Sequence, residues 1–218
     1  VTDAGAPVLR ARLAVPTDAL GLVVCTHGVA GEHAISFERV VAEGLREAGL
    51  ATLLVELLTE GEQRDASVLE PAEGIELLGR RLVGATDWAR AKVPELRALD
   101  VGYLGIAAGA GAALAAAARR PQIVHAVVSA AGRPELAEDS LGDVRAPTLL
   151  VVGGLDGEAL TVNRETLYFL RCESRLEIVH DATELFDEPD ARAAVVRAAA
   201  RWFLDHLRRP EARPTASA

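Results

Sequence analysis

The sequence predicts an α/β fold, a mostly parallel central sheet of about seven or eight strands with helices on both faces. Three observations predict it. Short runs rich in Val, Ile and Leu alternate some six times with longer segments of helical period, the pattern of crossover βαβ units. The runs Leu22-Val23-Val24 and Leu149-Leu150-Val151-Val152 are continuous rather than alternating, as in strands covered on both faces. Half of the 218 residues are hydrophobic and a quarter charged, which suits one domain with a substantial core.

Taken in order, the expected strands are Val8–Val15, Leu20–Thr26, Ala51–Leu57, Val101–Gly105, Val124–Ser129, Thr148–Val152 and Arg175–Val179. Only Pro16–Ala19 separates the first two, so they are expected to pair as an antiparallel hairpin at one edge. Helical stripes run through Phe37, Val40, Val41, Leu45 and Ala48, then Ile75, Leu78, Leu82, Ala85 and Ala89. A third comprises Val195, Val196, Ala199, Trp202 and Phe203. Glu60–Glu73 is polar and irregular and reads as a surface loop. The domain is expected to span residues 1–208, with 209–218 a flexible, proline-containing tail.

The formal charge of -9 argues against nucleic acid and against an anionic membrane surface as partners. Lys92 is the only lysine, so lysine chemistry is all but removed. Two cysteines, Cys25 and Cys172, are too few for an extracellular disulfide framework. No apolar run approaches the roughly 20 residues of a membrane helix, and no signal-peptide pattern is seen. A cytoplasmic location is expected.

In a parallel sheet, ligands bind beyond the carboxyl ends of the strands. Two such ends are informative: Cys25-Thr26-His27-Gly28-Val29-Ala30-Gly31, and Gly105-Ile106-Ala107-Ala108-Gly109 before an Ala-rich helix. The second has the frame of a G-x-S-x-G nucleophile elbow, whose glycines permit a strained turn. Its centre is Ala107.

From roughly Leu20 to Leu207, the chain resembles the dienelactone-hydrolase family of α/β-hydrolases. His27-Gly28 looks like the family's oxyanion-side loop, and Ala51 to Thr59 like its next strand and exit. Val127 to Pro134 resembles the strand after the elbow helix. Ala146 to Asp156 resembles the strand that delivers the triad acid. The resemblance implies an α/β-hydrolase fold with Ala107 at the nucleophile position and Asp156 at the acid position. It places Glu184, in Asp181-Ala182-Thr183-Glu184, where the family has histidine. Without a hydroxyl and a base to deprotonate it, acyl-enzyme chemistry has no first step.

Several residues remain as candidates. Glu184 beside Asp156 would form a carboxylate pair, one member tending to stay protonated and able to act as acid or base; otherwise it is an exposed turn residue. Asp156 serves equally well as a helix N-cap. His27 reads as a base or donor to substrate, or as an organiser of its loop. Glu56 ends an apolar strand and requires polar partners. Gly28, Val29, His33, Ala107 and Ala108 are expected to line the substrate pocket. His180 is a weak substitute base. Ser129 lacks an elbow, and Cys25 reads as a small core residue.

Rival signatures fail. Gly109-Ala110-Gly111-Ala112-Ala113-Leu114 lacks the third glycine of a dinucleotide fingerprint. No phosphate-loop or zinc-ligand spacing is present, so neither cofactor nor metal is expected. Three functions stay open, each with a small organic molecule as partner. The first is a non-hydrolytic, ligand-binding pseudo-hydrolase. The second is a divergent cyclase, dehydratase or isomerase using His27, Glu56 and Glu184. The third is an esterase or lactonase whose serine was replaced by Ala107. The oligomeric state is left open.

Overall fold

A computed structural model describes residues 7–27, 32–64, 71–188 and 190–207. Seven strands are present: β1 (Ala11–Ala14), β2 (Leu22–His27), β3 (Ala51–Val55), β4 (Val101–Ala107), β5 (Val124–Gly132), β6 (Thr148–Gly153) and β7 (Ser174–Val179). The described helices are α1 (Glu32–Glu47), α2 (Glu60–Arg64), α3 (Pro71–Lys92), α4 (Gly109–Arg119), α5 (Glu138–Leu141), α6 (Gly157–Phe169) and α7 (Ala191–His206). Every expected strand is present, with its ends shifted by a few residues.

The strands lie in the order β1-β3-β2-β4-β5-β6-β7. All neighbours are parallel except β1 and β3. The first strand is thus an antiparallel edge, but the expected hairpin with β2 does not form. Both edges of β2 are taken by its parallel partners β3 and β4. The edge left open to β1 is that of β3, where Ala11 faces Val55 and Ala14 faces Thr52. The Glu60–Glu73 loop is also corrected: α2 and the start of α3 fall within it. The tail 209–218 lies outside the described residues.

Two apolar clusters flank the sheet. Leu22, Val24 and Tyr103 pack with α3 and α4 on one face, while Val23, Cys25 and Leu104 pack with α1 and α7 on the other. Consecutive strand residues feed opposite clusters because side chains alternate across a strand. Strand β2 therefore has a buried residue at every position, which explains its unbroken hydrophobicity. The crossover after β2 leads to one side of it and β4 lies on the other, so a topological switch point falls between β2 and β4. Strands diverging in this way open the crevice where ligands bind.

The Ala-rich helix α4 is buried over Gly109–Ala117. Small side chains let it lie close to the sheet without giving up helix propensity. The approach is tightest at its start. A Cβ on Gly105 would stand 2.5 Å from the Gly109 carbonyl oxygen, and one on Gly109 would stand 2.5 Å from that of Thr26. Both neighbours are backbone and cannot turn aside. Gly105→Ala and Gly109→Ala are each expected to lower stability by about 1–3 kcal/mol, measured by urea unfolding. A loss no greater than that of an exposed Gly→Ala control would show that the turn tolerates a wider spacing.

Candidate functional site

The turn Gly105-Ile106-Ala107-Ala108-Gly109 joins β4 to α4 at the switch point. Ala107 has φ of 50°, in the left-handed region that costs an L-residue about 1–2 kcal/mol. It is held there from both sides. The Ala107 carbonyl accepts a 3.0 Å hydrogen bond from the Arg133 N–H, and the β4–β5 register shifts between Ile106 and Ala107. This is the backbone of a nucleophile elbow, presenting a methyl group. Ala107 and Ala108 are half-buried.

The ends of β6 and β7 meet through backbone. Gly154 N–H donates to Val179 O at 2.8 Å and Leu155 N–H to Ala182 O at 2.9 Å. Asp156 caps α6, its Oδ1 accepting from Ala159 N–H at 3.0 Å. The turns bearing Asp156 and Glu184 are adjacent, but the two carboxylates are not joined. Glu184 is exposed and, among the described residues, forms no hydrogen bond or ion pair. Glu188 instead closes that turn, accepting from Thr183 N–H at 3.0 Å, a bond that holds its carboxyl below the usual range. His180 is exposed.

His27 ends β2, and its side chain is 9% exposed. Its Nδ1 lies 2.9 Å from Glu38 Oε2, on α1, whose side chain is 3% exposed. Burial pulls the imidazole pKa down. The Glu38 hydrogen bond and the charges of Glu38 and Glu56 outweigh that pull and the repulsion from Arg39, so the value stands above the ordinary 6.5. Glu38 Oε1 is buried with no partner among the described residues.

His27 and Glu38 open on a cleft of about 320 Å³ between α1, the end of β3 and β1. Glu56 lines the same cleft, so two candidates read from the sequence, His27 and Glu56, are brought together there. Ala107, Asp156 and Glu184 are not among its walls, nor is His33, which is exposed in the first turn of α1. Gly28 and Val29 lie outside the described residues. Ser129 is fully buried inside β5, its Oγ without a partner among the described residues. Cys25 is a core thiol, pushed well up in pKa by burial and then by Glu38. Sequence reasoning missed Glu38. Its signal was a carboxylate among Ala34, Phe37, Val41 and Ala42, all on the buried arc of α1. No group of three or more potential metal ligands occurs among the described residues.

The chain is 45% identical to a dienelactone hydrolase from Anabaena variabilis, covering 94% of this chain and 95% of that one, with a TM-score of 0.86. The chain belongs to the dienelactone-hydrolase family. No family model matches it. Two more distant likenesses within the α/β-hydrolase fold concern fold alone. Est1E from Butyrivibrio proteoclasticus is 17% identical, with TM-score 0.70 over 90% of this chain and 93% of its own. A dienelactone-hydrolase-like promiscuous phosphotriesterase from metagenomic libraries is 18% identical, with TM-score 0.64 over 92% and 100%. Among curated proteins, one named a putative phosphoribosyl transferase in Mycobacterium tuberculosis is 45% identical over 205 residues, 94% of this chain. This dienelactone-hydrolase-family chain spans 45% of that protein's length.

His27 and Glu38 should be separable by mutation. His27→Leu leaves Glu38 buried without its partner, at an expected cost of about 3–5 kcal/mol. Glu38→Gln keeps an acceptor for the ring and should cost about 1–2 kcal/mol. A raised folded pKa means the pair's contribution is complete below the unfolded value and is lost as pH rises through the folded one. Arg10 and Arg12 from the β1 side, Glu56 from the β3 exit and Arg39 from α1 share that cleft, and Glu38→Gln leaves all four in place. Urea unfolding at pH values below and above the His27 titration should show this loss in the native chain and not in Glu38→Gln. An equal pH dependence in both would show that other groups set it.

Proposed function

We propose that this chain keeps the dienelactone-hydrolase scaffold without a Ser-His-Asp triad, and binds a small organic molecule at the carboxyl end of its sheet. Ala107 carries this reading: an intact, strained elbow presents a side chain with no nucleophilic atom. A methyl group cannot attack a carbonyl. Asp156 is engaged in capping α6, and Glu184, at the family's histidine position, projects to solvent. Cys25 and Cys172 are free thiols, in keeping with a cytoplasmic setting. No helix among the described residues is long and apolar enough to cross a membrane.

A second reading, acid/base catalysis without a covalent intermediate, is favoured by one observation: a carboxylate holds the His27 ring by Nδ1, as in catalytic histidines elsewhere. It draws on His27 and Glu56 rather than on Glu184. For the M. tuberculosis relatives, we infer that any phosphoribosyl transfer belongs to the part of those proteins beyond this chain's match, because the matched part is the hydrolase-family fold.

Hydrolysis of a short-chain p-nitrophenyl ester tests the first reading. The chain as it stands should show no turnover above buffer, and an Ala107→Ser, Glu184→His variant should gain it. Clear hydrolysis by the unaltered chain would sink the proposal, and His27 and Ser129 would then be the residues to replace.

A further inference from the structure

We propose that the cleft between α1, the β3 exit and β1 is a ligand site separate from the elbow. It would take a small organic anion that also carries a hydroxyl or amino donor. Alternation along the strands places Arg12 and Leu54, which are direct partners in the β1–β3 register, on one face together with Glu56. That face is the one covered by α1, because Leu54 packs with the α1 and α7 cluster. Helical spacing puts Ile35, Glu38 and Arg39 on one stripe of α1. These two surfaces form the floor and wall of a cleft of about 320 Å³, at the lower end of the size that encloses a small ligand.

The charges decide what fits. Arg10 is engaged with Glu60. The side chains of Arg12, Arg39 and Glu56 have neither hydrogen bond nor ion pair among the described residues. The His27–Glu38 pair is internally neutral when the ring is protonated. Among the described residues two guanidiniums without a partner therefore face one such carboxylate, a local excess of positive charge on a chain of net charge -9. Guanidinium groups recognise a carboxylate by paired, charge-assisted hydrogen bonds.

The acceptors narrow the class further. Glu56 offers a carboxylate with no side-chain partner among the described residues, and the buried Glu38 Oε1 is a second acceptor without one there. Buried polar atoms are normally satisfied, so an acceptor without a partner on a residue that lines the cleft points to a ligand that supplies N–H or O–H. A hydroxy acid or an amino acid meets both requirements. The second nitrogen of the His27 ring, Nε2, is the one not engaged with Glu38.

Imidazole ¹H–¹⁵N correlation spectra of the whole chain, titrated with lactate, test the site. Lactate should shift the His27 signals saturably. Lactamide, which lacks the charge, should not, and propionate, which lacks the hydroxyl, should bind more weakly. Arg12→Gln and Arg39→Gln, both at exposed positions, should each weaken lactate about tenfold while leaving the remaining spectrum unchanged. No saturable His27 shift, or lactate binding in both arginine variants as tightly as in the unaltered chain, would overturn the site. Propionate binding as tightly as lactate would overturn the donor requirement. The outcome of the ester test at the elbow bears on neither result, so the two proposals fail separately.

Discussion

Everything at the carboxyl edge of this sheet depends on how closely α4 approaches the ends of β2 and β4. Backbone meets backbone there: the start of α4 lies against Thr26 and His27, with only hydrogen at Gly105 and Gly109 to separate them. A chain that turns from strand to helix in so little space must pass through a left-handed residue. Ala107 takes that conformation, and the N–H of Arg133, just after β5, fixes its carbonyl. The strain is a property of the turn and does not require the side chain that would exploit it. The same turn can therefore form around alanine, whose side chain carries no nucleophilic atom.

Buried charge organises the other side of the switch point. Placing a carboxylate on the covered arc of α1 would be destabilising by itself, since a buried ion needs a partner. His27 supplies one because β2 ends where α1 begins to cover the sheet. The pairing fixes the ring by Nδ1 and raises its basicity. It also divides the edge of the sheet into two regions. One centres on Ala107 at the start of α4. The other, beneath α1, is polar and is flanked by arginines of β1 and α1.

Membership of the dienelactone-hydrolase family sits comfortably with both regions. Identity of 45% to a dienelactone hydrolase extends over nearly the whole chain. Fold does not fix function, which lives in particular side chains on the scaffold. Here Asp156 is occupied with α6, the turn after β7 is closed by Glu188, and Glu184 faces water. His27, paired with Glu38, shares its cleft with Glu56.

Local pattern was enough to read the seven strands, the apolar faces of α1, α3 and α7, and the glycine frame of the elbow. These are set by periodicity and by residues whose backbone preferences act within a few positions. Asp156 as an N-cap was legible for the same reason. The partner of β1 was not, because proximity in sequence favoured β2 while the crossovers had already filled both of its edges. Glu38 was missed, although it is an awkward charge in an apolar stripe, and its pairing with His27 joins residues on different elements. Whether Glu184 would meet Asp156 was likewise a matter of how two turns face each other. Sequence alone determined the layers and the alanine at the centre of the glycine frame. Tertiary packing decided which charges share a site, because pairing across elements depends on distances that no local pattern encodes.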